Sequence, residues 1–382
     1  MTALRAGRAG FNDRESQGPL WLRIDVSIVM LTIGLISIGL VVVYSATRGV
    51  LIEGEDIANR AFLERQIMFV AIGAFLAAVM TTIDYRRARP VVPIIYAGSI
   101  LLLIGLFFFG STFNNATSWY SFGFITLQPS EFAKLTMILA MAAWFSNAKD
   151  RDGIGFVEVL LGLGIAGGLA ILVLLQPDYG TVMVYGAIVA AIMTVAGVRP
   201  LHLAAVFAMF VVLVSLAFST GQIASYQIAR FTAFADANST DRYNVDQSEI
   251  AIGNGGLTGQ GLFQGTQNNN SLVPEKETDF IFSVLGEEFG FVGGAVLLTL
   301  FALLLMRMWR IAHLAENEFG QLIATGVFAM FLFQAFQSIG MNMGMMPVPG
   351  IPLPLISFGG SSMLTSLLAI GLVENVHAHR LR

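Results

Sequence analysis

A polar stretch runs directly into a long apolar one at residues 271–306, SLVPEKETDFIFSVLGEEFGFVGGAVLLTLFALLLM. The polar part carries Glu275, Lys276 and Glu277, and Asp279 stands where the apolar run begins. About 20 apolar residues are enough to cross a membrane, so this stretch predicts a membrane helix with a carboxylate at its mouth. Desolvation and neighbouring charges can retune the pKa of a carboxylate in that position.

The composition of the whole chain agrees with a membrane protein. Of its 382 residues 55% are hydrophobic and only 12% are charged, whereas soluble domains carry about 25% charged residues. A net charge of −4 without any Lys/Arg-rich run gives no indication of nucleic-acid binding. Cysteine is absent, which excludes disulfides and thiolate sites, and four histidines leave little for a metal cage.

Apolar runs of spanning length recur ten times along the chain. The N-terminal arginines precede a run that is too long for a cleavable signal, so we expect no signal peptide. We predict an all-α polytopic membrane protein of ten transmembrane helices, with a large external loop between spans seven and eight. The predicted spans are 25–46, 66–83, 91–110, 129–146, 156–175, 179–198, 201–220, 279–306, 319–342 and 356–376.

Lysine and arginine are concentrated in one set of the connecting loops, for example at Arg86, Arg87 and Arg89. The positive-inside rule makes that set cytoplasmic. Both termini are then cytoplasmic, with a tail at 1–24, the membrane domain at 25–376 and a second tail at 377–382. We expect a multi-pass protein of the bacterial cytoplasmic membrane.

The opposite, external side has the longer segments, at 47–65, 111–128, 221–278 and 343–355. The segment 221–278 is too long for a plain connector. Its glycines between Gly253 and Gly265 suit tight turns and close approach of the backbone to a ligand. The alternative is a flexible loop.

A first group of polar residues lies at the start of the fourth span, at Trp119, Gln128, Ser130, Glu131 and Lys134. The carboxylate and the ammonium are three residues apart, so they share a helix face and can pair. A charge inside an apolar span usually faces a cavity or a partner and marks function. The alternative is a structural ion pair that locks two helices.

A second group lies at the external break between spans five and six, where Gln176 and Asp178 flank a proline. An aspartate at a helix entrance is an ordinary cap. Its side of the membrane matches that of Asp279, which keeps it a site candidate.

A third group lies in the long loop. Tyr226, Arg230 and Phe234 fall four residues apart, as on one face of a short amphipathic helix. The arginine could bind a phosphate through its fork geometry, or it could be an interfacial anchor.

Four prolines fall within eight residues at Pro347–Pro354, just before Ser357. They force an extended, non-helical segment. Such backbone at membrane depth must be buried in protein or line a cavity, so we interpret it as a wall of the site.

Two more acids, Glu287 and Glu288, lie eight and nine residues after Asp279, a little more than two helical turns. Glu287 falls about 12 Å along the helix and roughly 80° around it, too far for a close pair. We interpret it as a structural partner, with a second catalyst as the alternative.

Taken together, these motifs resemble the SEDS family (shape, elongation, division and sporulation proteins), and its RodA branch more than its FtsW branch. The resemblance extends from the first span to the tail. Its carriers are Gln128-Pro-Ser-Glu131-x-x-Lys134, Gln176-Pro-Asp178-x-Gly180-Thr181, Tyr226-Gln-x-x-Arg230, Gln247-Ser-x-x-Ala-Ile-Gly253 with Gly265-Thr-Gln267, Pro274-Glu275 with Thr278-Asp279-Phe-Ile-Phe282, and the Pro-Leu-Pro and Ser-Phe-Gly-Gly-Ser run.

The resemblance implies a ten-helix peptidoglycan glycosyltransferase that polymerises lipid II on the outer face of the membrane and releases undecaprenyl diphosphate. It implies a class B penicillin-binding protein as partner and places the family's essential carboxylate at Asp279. Glu131 and Lys134 are then expected to form the floor of the cavity. The remaining predicted substrate-binding or supporting residues are Trp119, Gln128, Ser130, Gln176, Asp178, Arg230, Lys276 and Ser357.

Three positions depart from the family's pattern. Basic residues usual in relatives are replaced by Ser118, Thr126 and Glu277. The site is therefore poor in fixed cations, and we expect a divalent cation (Mg²⁺ or Mn²⁺, with unknown ligands) or the partner protein to compensate. No organic cofactor is expected. Glu277 and Asp279 should also repel each other, which would raise the pKa of one or both or recruit a cation.

Two other functions remain open on the sequence. The same chain could flip lipid II across the membrane, with Glu131 and Lys134 as a coupling site. It could also be a non-catalytic scaffold of the cell-wall synthase. Against transport, the polar groups cluster on the external half and no inverted repeat of broken spans is visible.

Overall fold

Long helices stand where the sequence predicts membrane spans. The computed structural model describes residues 23–48, 57–113, 116–123, 125–151, 154–208 and 240–380. The helices are α1 (Val26–Thr47), α2 (Ile57–Thr82), α3 (Val92–Phe109, preceded by a 3₁₀ helix at Tyr85–Val91), α4 (Pro129–Arg151), α5 (Phe156–Leu174), α6 (Tyr179–Ala196), α7 (200–208), α8 (Thr240–Gly255), the short α9 (Thr266–Asn269), α10 (Ile281–His313), α11 (Glu318–Asn342) and α12 (Gly360–Ala378).

Seven described helices are long and apolar enough to cross a membrane. Helices α4 and α12 occupy the predicted fourth and tenth spans but carry more polar side chains, and most of their residues are buried inside the bundle. Of the seventh predicted span only the start lies in the described residues, as α7. Helix α2 begins nine residues before the predicted second span. The total of ten spans and their sidedness stay predictions.

Helix α11 is the centre of the bundle. In its apolar stretch 78% of the residues are buried, against 17% in α2. It packs against α4, α6, α10 and α12, while α12 packs on α2 and α1 packs on α10. The most buried helices therefore carry polar residues that face protein rather than lipid.

Short polar caps set several helix starts. Asp25 accepts from the amide of Ser27 at 3.0 Å at the start of α1, and Asn317 accepts from Gly320 N at 2.8 Å at the start of α11. Such side chains satisfy amides that have no partner inside the helix. Helix α6 ends at Gly197, whose φ of +91° places it in the left-handed region that glycine adopts without strain.

A small antiparallel sheet corrects the prediction of an all-α chain. Its strands are β1 (Ser111–Phe113), β2 (Ala116–Phe122) and β3 (Ile125–Leu127), in the order β1-β2-β3. Aromatic and hydroxyl residues of this segment favour strands, and Gly123, with φ +75°, lies between β2 and β3. Strands of three to seven residues are too short for periodicity to reveal, and the sequence analysis missed them.

Candidate active site

Asp279 lies in the turn that leads into α10, as predicted from the polar-to-apolar transition. Its backbone is held by Asn342 at the end of α11, whose side-chain amide donates to the Asp279 carbonyl at 2.9 Å. The Asn342 side-chain oxygen accepts from Ser283 N at 3.1 Å, and the residue is fully buried. The end of α11 thus fixes the position of the candidate base.

The proline-rich segment is non-helical and packs against the Asp279 turn. Ser357 Oγ donates to the Thr278 carbonyl at 2.6 Å, and Phe358 N donates to the Glu277 carbonyl at 2.8 Å. A Cβ built at Gly350 would lie 3.4 Å from Asp279 Oδ2. The segment is therefore in contact with the turn and its carboxylate, as expected of a wall.

This wall reaches well below the helix ends that lie on the same side of the bundle as Asp279. A Cβ at Gly39 of α1 would lie 2.7 Å from the Leu355 carbonyl oxygen. Gly39 precedes the last residue of α1, Thr47, by eight residues, about 12 Å along the helix. Gln66 of α2 donates to the Ser357 carbonyl at 3.1 Å. Irregular backbone at this depth is buried in protein, the condition under which membranes tolerate it.

Asp178 is the centre of a second cluster. Its carboxylate accepts from Gln128 Nε2 at 3.0 Å, from Ser130 Oγ at 2.9 Å and from Thr181 Oγ1 at 2.8 Å. It also caps α6 by accepting from Thr181 N at 3.1 Å. Asp178 therefore ties the start of α4 to the start of α6, which agrees with the capping role considered for it.

Glu131 and Lys134 form the predicted ion pair on α4. Lys134 Nζ lies 2.7 Å from Glu131 Oε1, and both side chains are buried, with 1% and 5% exposed. The helix turn that carries them is held to α6 by Tyr185, whose hydroxyl donates to the Ser130 carbonyl at 3.1 Å.

Gln176 and the residues around it join the sheet to the bundle. Gln176 Nε2 donates to the Leu103 carbonyl at 2.9 Å, and its own carbonyl accepts from Ser118 Oγ at 3.0 Å. Trp119, the next residue of β2, is half-buried and lies opposite Ser111 of β1. Gln176 and Ser118 are buried and bonded to protein, so they support the packing of the sheet on the bundle.

The proline-rich segment connects the two clusters. A Cβ at Gly180, two residues after Asp178, would lie 2.7 Å from the Pro349 carbonyl oxygen. The next residue, Gly350, faces Asp279. Ser361 at the start of α12 accepts from Gln128 N at 2.9 Å. The structure thus brings the start of α4, the start of α6 and the Asp279 turn to one wall.

Lys276 does not present its ammonium to this wall. The side chain is 3% exposed, and Nζ donates to the Asn268 carbonyl and to Ser271 Oγ. Burial lowers the pKa of Lys276. Nearby glutamates, Glu277 most strongly, raise it, but burial has the larger effect. In this arrangement Lys276, predicted as a substrate-binding or supporting residue, stabilises the loop.

Glu277 has a raised pKa, chiefly because burial disfavours the charged form. Among charged neighbours, Glu275 raises it further and Lys276 lowers it. Burial, rather than the expected repulsion from Asp279, is therefore the main cause of the shift.

The glycine-rich run approaches the backbone of α10. A Cβ at Gly255 would overlap the Gly286 carbonyl, and one at Gly259, whose φ is +82°, would overlap the Glu288 carbonyl. Helix α10 is kinked at Gly290, where φ is +64°. The close approach predicted for a ligand is thus made to the protein's own kinked helix.

Glu287 and Glu288 bind the loop to the bundle. Glu287 accepts from Gln267 N at 2.7 Å and from Asn268 N at 3.0 Å. Glu288 accepts from Ser45 Oγ of α1 and from Asn268 Nδ2. The interpretation of Glu287 as a structural partner agrees with these contacts.

The third predicted group, in the long loop, lies outside the described residues. Its members are Tyr226, Arg230 and Phe234. Arg242, in α8, is the described loop arginine, and it pairs with Asp246 at 2.8 Å. Across the described ranges no group of three or more His, Cys, Asp or Glu side chains is arranged to hold a metal ion. No protein-held metal site is therefore assigned there.

Two residues that hold the candidate base and its wall in place escaped the sequence analysis. Asn342 and Gln66 are each buried and each hold backbone of the Asp279 turn or its wall. The available signal was a polar amide in an otherwise apolar span, which membrane helices use for interhelical hydrogen bonds.

A family comparison decides what this architecture belongs to. The family model for FtsW, RodA and SpoVE, described as cell cycle protein, matches residues 26–382. The chain belongs to this family. FtsW/RodA/SpoVE proteins are the SEDS family that the motifs resemble, and the seven apolar helices agree with a multi-pass membrane protein.

Several similar proteins in this family are named peptidoglycan glycosyltransferases. A probable peptidoglycan glycosyltransferase FtsW of Geobacter metallireducens is 34% identical over 93% of this chain and 94% of its own. The peptidoglycan glycosyltransferase MrdB of Escherichia coli K12 is 32% identical over 96% of this chain and 98% of its own. Overall identity therefore does not separate the FtsW and RodA branches.

Solved structures of the family share the fold. The crystal structure of Thermus thermophilus RodA superposes with a TM-score of 0.71 at 30% identity, covering 95% of this chain and all of that one. A chain from a study of how a peptidoglycan synthase complex coordinates polymerization and crosslinking gives 0.79 at 29% identity, with the same coverage. The fold of this chain is RodA-like.

Proposed function

We propose that the chain is a peptidoglycan glycosyltransferase that polymerises lipid II on the external face of the bacterial cytoplasmic membrane, with Asp279 as general base. The observation that carries the proposal is the placement of Asp279, at the mouth of α10 with Oδ2 against Gly350 of the proline-rich wall. Membership of the family and the enzymatic names of its relatives support the same class of reaction.

The proposed reaction forms a β-1,4 bond with inversion at the donor's anomeric carbon. The acceptor's 4-hydroxyl oxygen attacks that carbon while the bond to undecaprenyl diphosphate breaks on the opposite face. The hydroxyl proton passes to the Asp279 carboxylate, for which hydrogen-bond reach is sufficient. Asn342 and Ser357 hold the backbone of the base and its neighbour in place.

The departing diphosphate needs positive charge. Among the described candidates, Lys134 is paired with Glu131 and Lys276 is bonded within its loop. A divalent cation such as Mg²⁺ or Mn²⁺ would be held by one or two carboxylates together with the substrate's phosphates, which needs no three-residue cage. Arg230 and the partner protein are the other sources.

The proposed partner is a class B penicillin-binding protein, which would cross-link the strands that this chain makes. A structural relative comes from a complex that coordinates polymerization and crosslinking, which supports a shared assembly. We further propose a role in cell elongation and shape. The Gly265-Thr-Gln267 form, closer to the RodA branch, favours elongation over division.

The test is polymerisation of labelled lipid II by the purified full chain in detergent, with and without the penicillin-binding partner and with a chelator. Asp279→Asn keeps the size of the side chain and removes the base, so we expect polymer to be lost while the thermal unfolding midpoint stays that of the wild type. Undiminished polymer from Asp279→Asn would refute the base assignment. A wild type that makes no polymer even with its partner and cation would favour a scaffold or a transporter.

One observation favours transport of lipid II as a second candidate. The Glu131–Lys134 pair is buried inside a predicted span, and intramembrane ionisable groups often mark transport pathways. Reconstituted vesicles with fluorescent lipid II separate the two functions. A transporter exposes the label to an external quencher without forming polymer, and loses this ability when the pair is removed.

A further inference from the structure

A cavity of about 130 Å³ lies at the opposite end of the molecule from Asp279. It is formed by the N-terminal end of α1, the last turns of α10 and the end of α12. The volume is far above the roughly 10–15 Å³ that a single water needs. By the positive-inside rule this end faces the cytoplasm.

Three arginines and a histidine line the cavity, which makes it basic. Arg307 pairs with its only lining acid, Asp25, so these two charges neutralise each other. Arg310 and Arg380 make no side-chain ion pair or hydrogen bond within the described part of the chain. Two positive charges are therefore left in excess at the rim.

Buried nitrogen atoms in the cavity wall also lack partners. Arg307 Nε and His377 Nδ1 are shielded from solvent and make no hydrogen bond to any described residue. Buried polar atoms are normally satisfied, and an exception calls for an explanation such as a bound ligand. Glu374 of α12 is not among the residues that line the cavity. Its Oε2 accepts from Asp25 N at 2.9 Å, and its Oε1 is buried without a hydrogen-bond partner among the described residues.

The surroundings of the cavity are apolar. Ile311 and Leu314 form part of its lining, and exposed apolar side chains continue from it along α1 and α10. Val26, Met30 and Met306 are 69%, 64% and 58% exposed. A ligand in this cavity would meet positive charge at one end and an apolar helix surface at the other.

We propose that this cavity binds the phosphate of an anionic phospholipid headgroup from the cytoplasmic leaflet, with the acyl chains lying along α1 and α10. Arginine forks match phosphate oxygens in geometry and charge. Basic pockets between membrane helices on the cytoplasmic side recognise such headgroups. The shared chemistry is a phosphate anion, for which a soluble phosphate is the other source.

The competing explanation is that Arg310 and Arg380 simply stabilise the negative ends of α10 and α12 and follow the positive-inside bias. That role depends on the helices alone and is indifferent to lipid headgroups. A readout that depends on the headgroup therefore separates the two explanations.

The experiment measures the thermal unfolding midpoint of the full chain in micelles titrated with phosphatidylglycerol or with phosphatidylcholine of the same acyl chains. The pocket variant is R310Q/R380Q. The matched control is R87Q/R199Q, which removes two exposed arginines of the same predicted face outside the cavity. Inorganic phosphate is added in a parallel series.

We expect phosphatidylglycerol to stabilise the wild type more than phosphatidylcholine. The pocket variant should need roughly thirtyfold more phosphatidylglycerol for half the effect, from about 1 kcal/mol per arginine. The control should keep the wild-type response. Competition by inorganic phosphate would support a phosphate site, and inorganic phosphate matching the full effect alone would identify the soluble anion as the source.

Two results would overturn the proposal. Equal loss of the lipid response in the pocket and control variants would mean that the lipid responds only to overall charge. Equal stabilisation by both lipids would mean that the cavity does not recognise the charge of the headgroup. Neither result bears on polymerisation, so the proposed function stands or falls separately.

Discussion

The side-chain amide of Asn342 donates to the main-chain carbonyl of Asp279 at 2.9 Å, joining residues 63 positions apart. The same amide nitrogen donates to the Ser338 carbonyl at 2.8 Å, and the side-chain oxygen accepts from Ser283 N at 3.1 Å. The position of the candidate base is thus fixed by the end of the central helix α11 as well as by the turn into α10. Its placement is sensitive to one buried amide.

Asn342→Asp should lower the rate of polymerisation about a hundredfold, the scale of a misplacement near 1 Å. The new carboxylate oxygen would face the carbonyls of Asp279 and Ser338, which need a donor. The measurement is polymer formed from labelled lipid II at saturating substrate. The control is Asn317→Asp on the same helix, where aspartate caps as well as asparagine. An unchanged rate in a folded Asn342→Asp protein would remove the positioning role.

Lys134→Met should destabilise the protein by about 3–5 kcal/mol, because it leaves the Glu131 carboxylate buried without its cation. The double variant Glu131→Gln/Lys134→Met should recover most of this loss, yet polymerise at least tenfold more slowly if the pair forms the cavity floor. Denaturation and lipid II assays measure the two effects. Breaking the partly exposed Arg242–Asp246 pair with Asp246→Asn should cost only about 0–1 kcal/mol. A stable and fully active double variant would show that the ion pair is only a structural lock.

The features of this fold that the sequence predicts well are those set by local sequence patterns. Bilayer thickness imposes a length on each apolar run, so helices such as α5 and α11 begin and end within two residues of their predicted spans. The three-residue spacing of Glu131 and Lys134 likewise encodes their pairing, since helix geometry alone brings them together.

Contacts between distant segments are what the sequence hides. No local sequence pattern indicates that the glycine-rich run packs against the kink of α10. Nor does any indicate that Glu287 accepts from the amides of Gln267 and Asn268. A glycine pattern predicts close approach but leaves the approaching partner undefined. Lys276, predicted as a substrate-binding or supporting residue, is buried and bonded within this loop, an arrangement that the sequence does not indicate.

Gly255→Ala should weaken the docking of the loop on α10, because the new Cβ would overlap the Gly286 carbonyl, which is backbone and cannot rotate away. We expect a lower unfolding midpoint and faster amide hydrogen exchange over residues 256–268. The control is Gly253→Ala in the same helix, where a Cβ would meet no atom within 4 Å. That change should be neutral or stabilising by about 0.5–1 kcal/mol. Equal exchange in both variants would mean that the loop does not depend on this contact.

Glu277→Gln should stabilise the protein relative to the wild type at neutral pH, and this advantage should disappear in acid. Burial raises the folded-state pKa of Glu277 above its unfolded value near 4.5, so the folded state favours the protonated form. The wild type therefore keeps the full contribution of this group below pH 4.5 and loses it as pH rises through the folded pKa. Glutamine does not titrate and keeps its contribution throughout.

The unfolding midpoints of the wild type and Glu277→Gln should coincide near pH 4.5 and separate as the pH rises to 7.5, with the variant higher. Glu64→Gln, at an exposed glutamate of α2, should show no such growing difference. If the Glu277→Gln advantage were the same at both pH values, removal of the buried charge would not be its cause. If the advantage grew toward acid, the raised pKa itself would be wrong, since only a depressed carboxyl pKa loses stability as the pH falls.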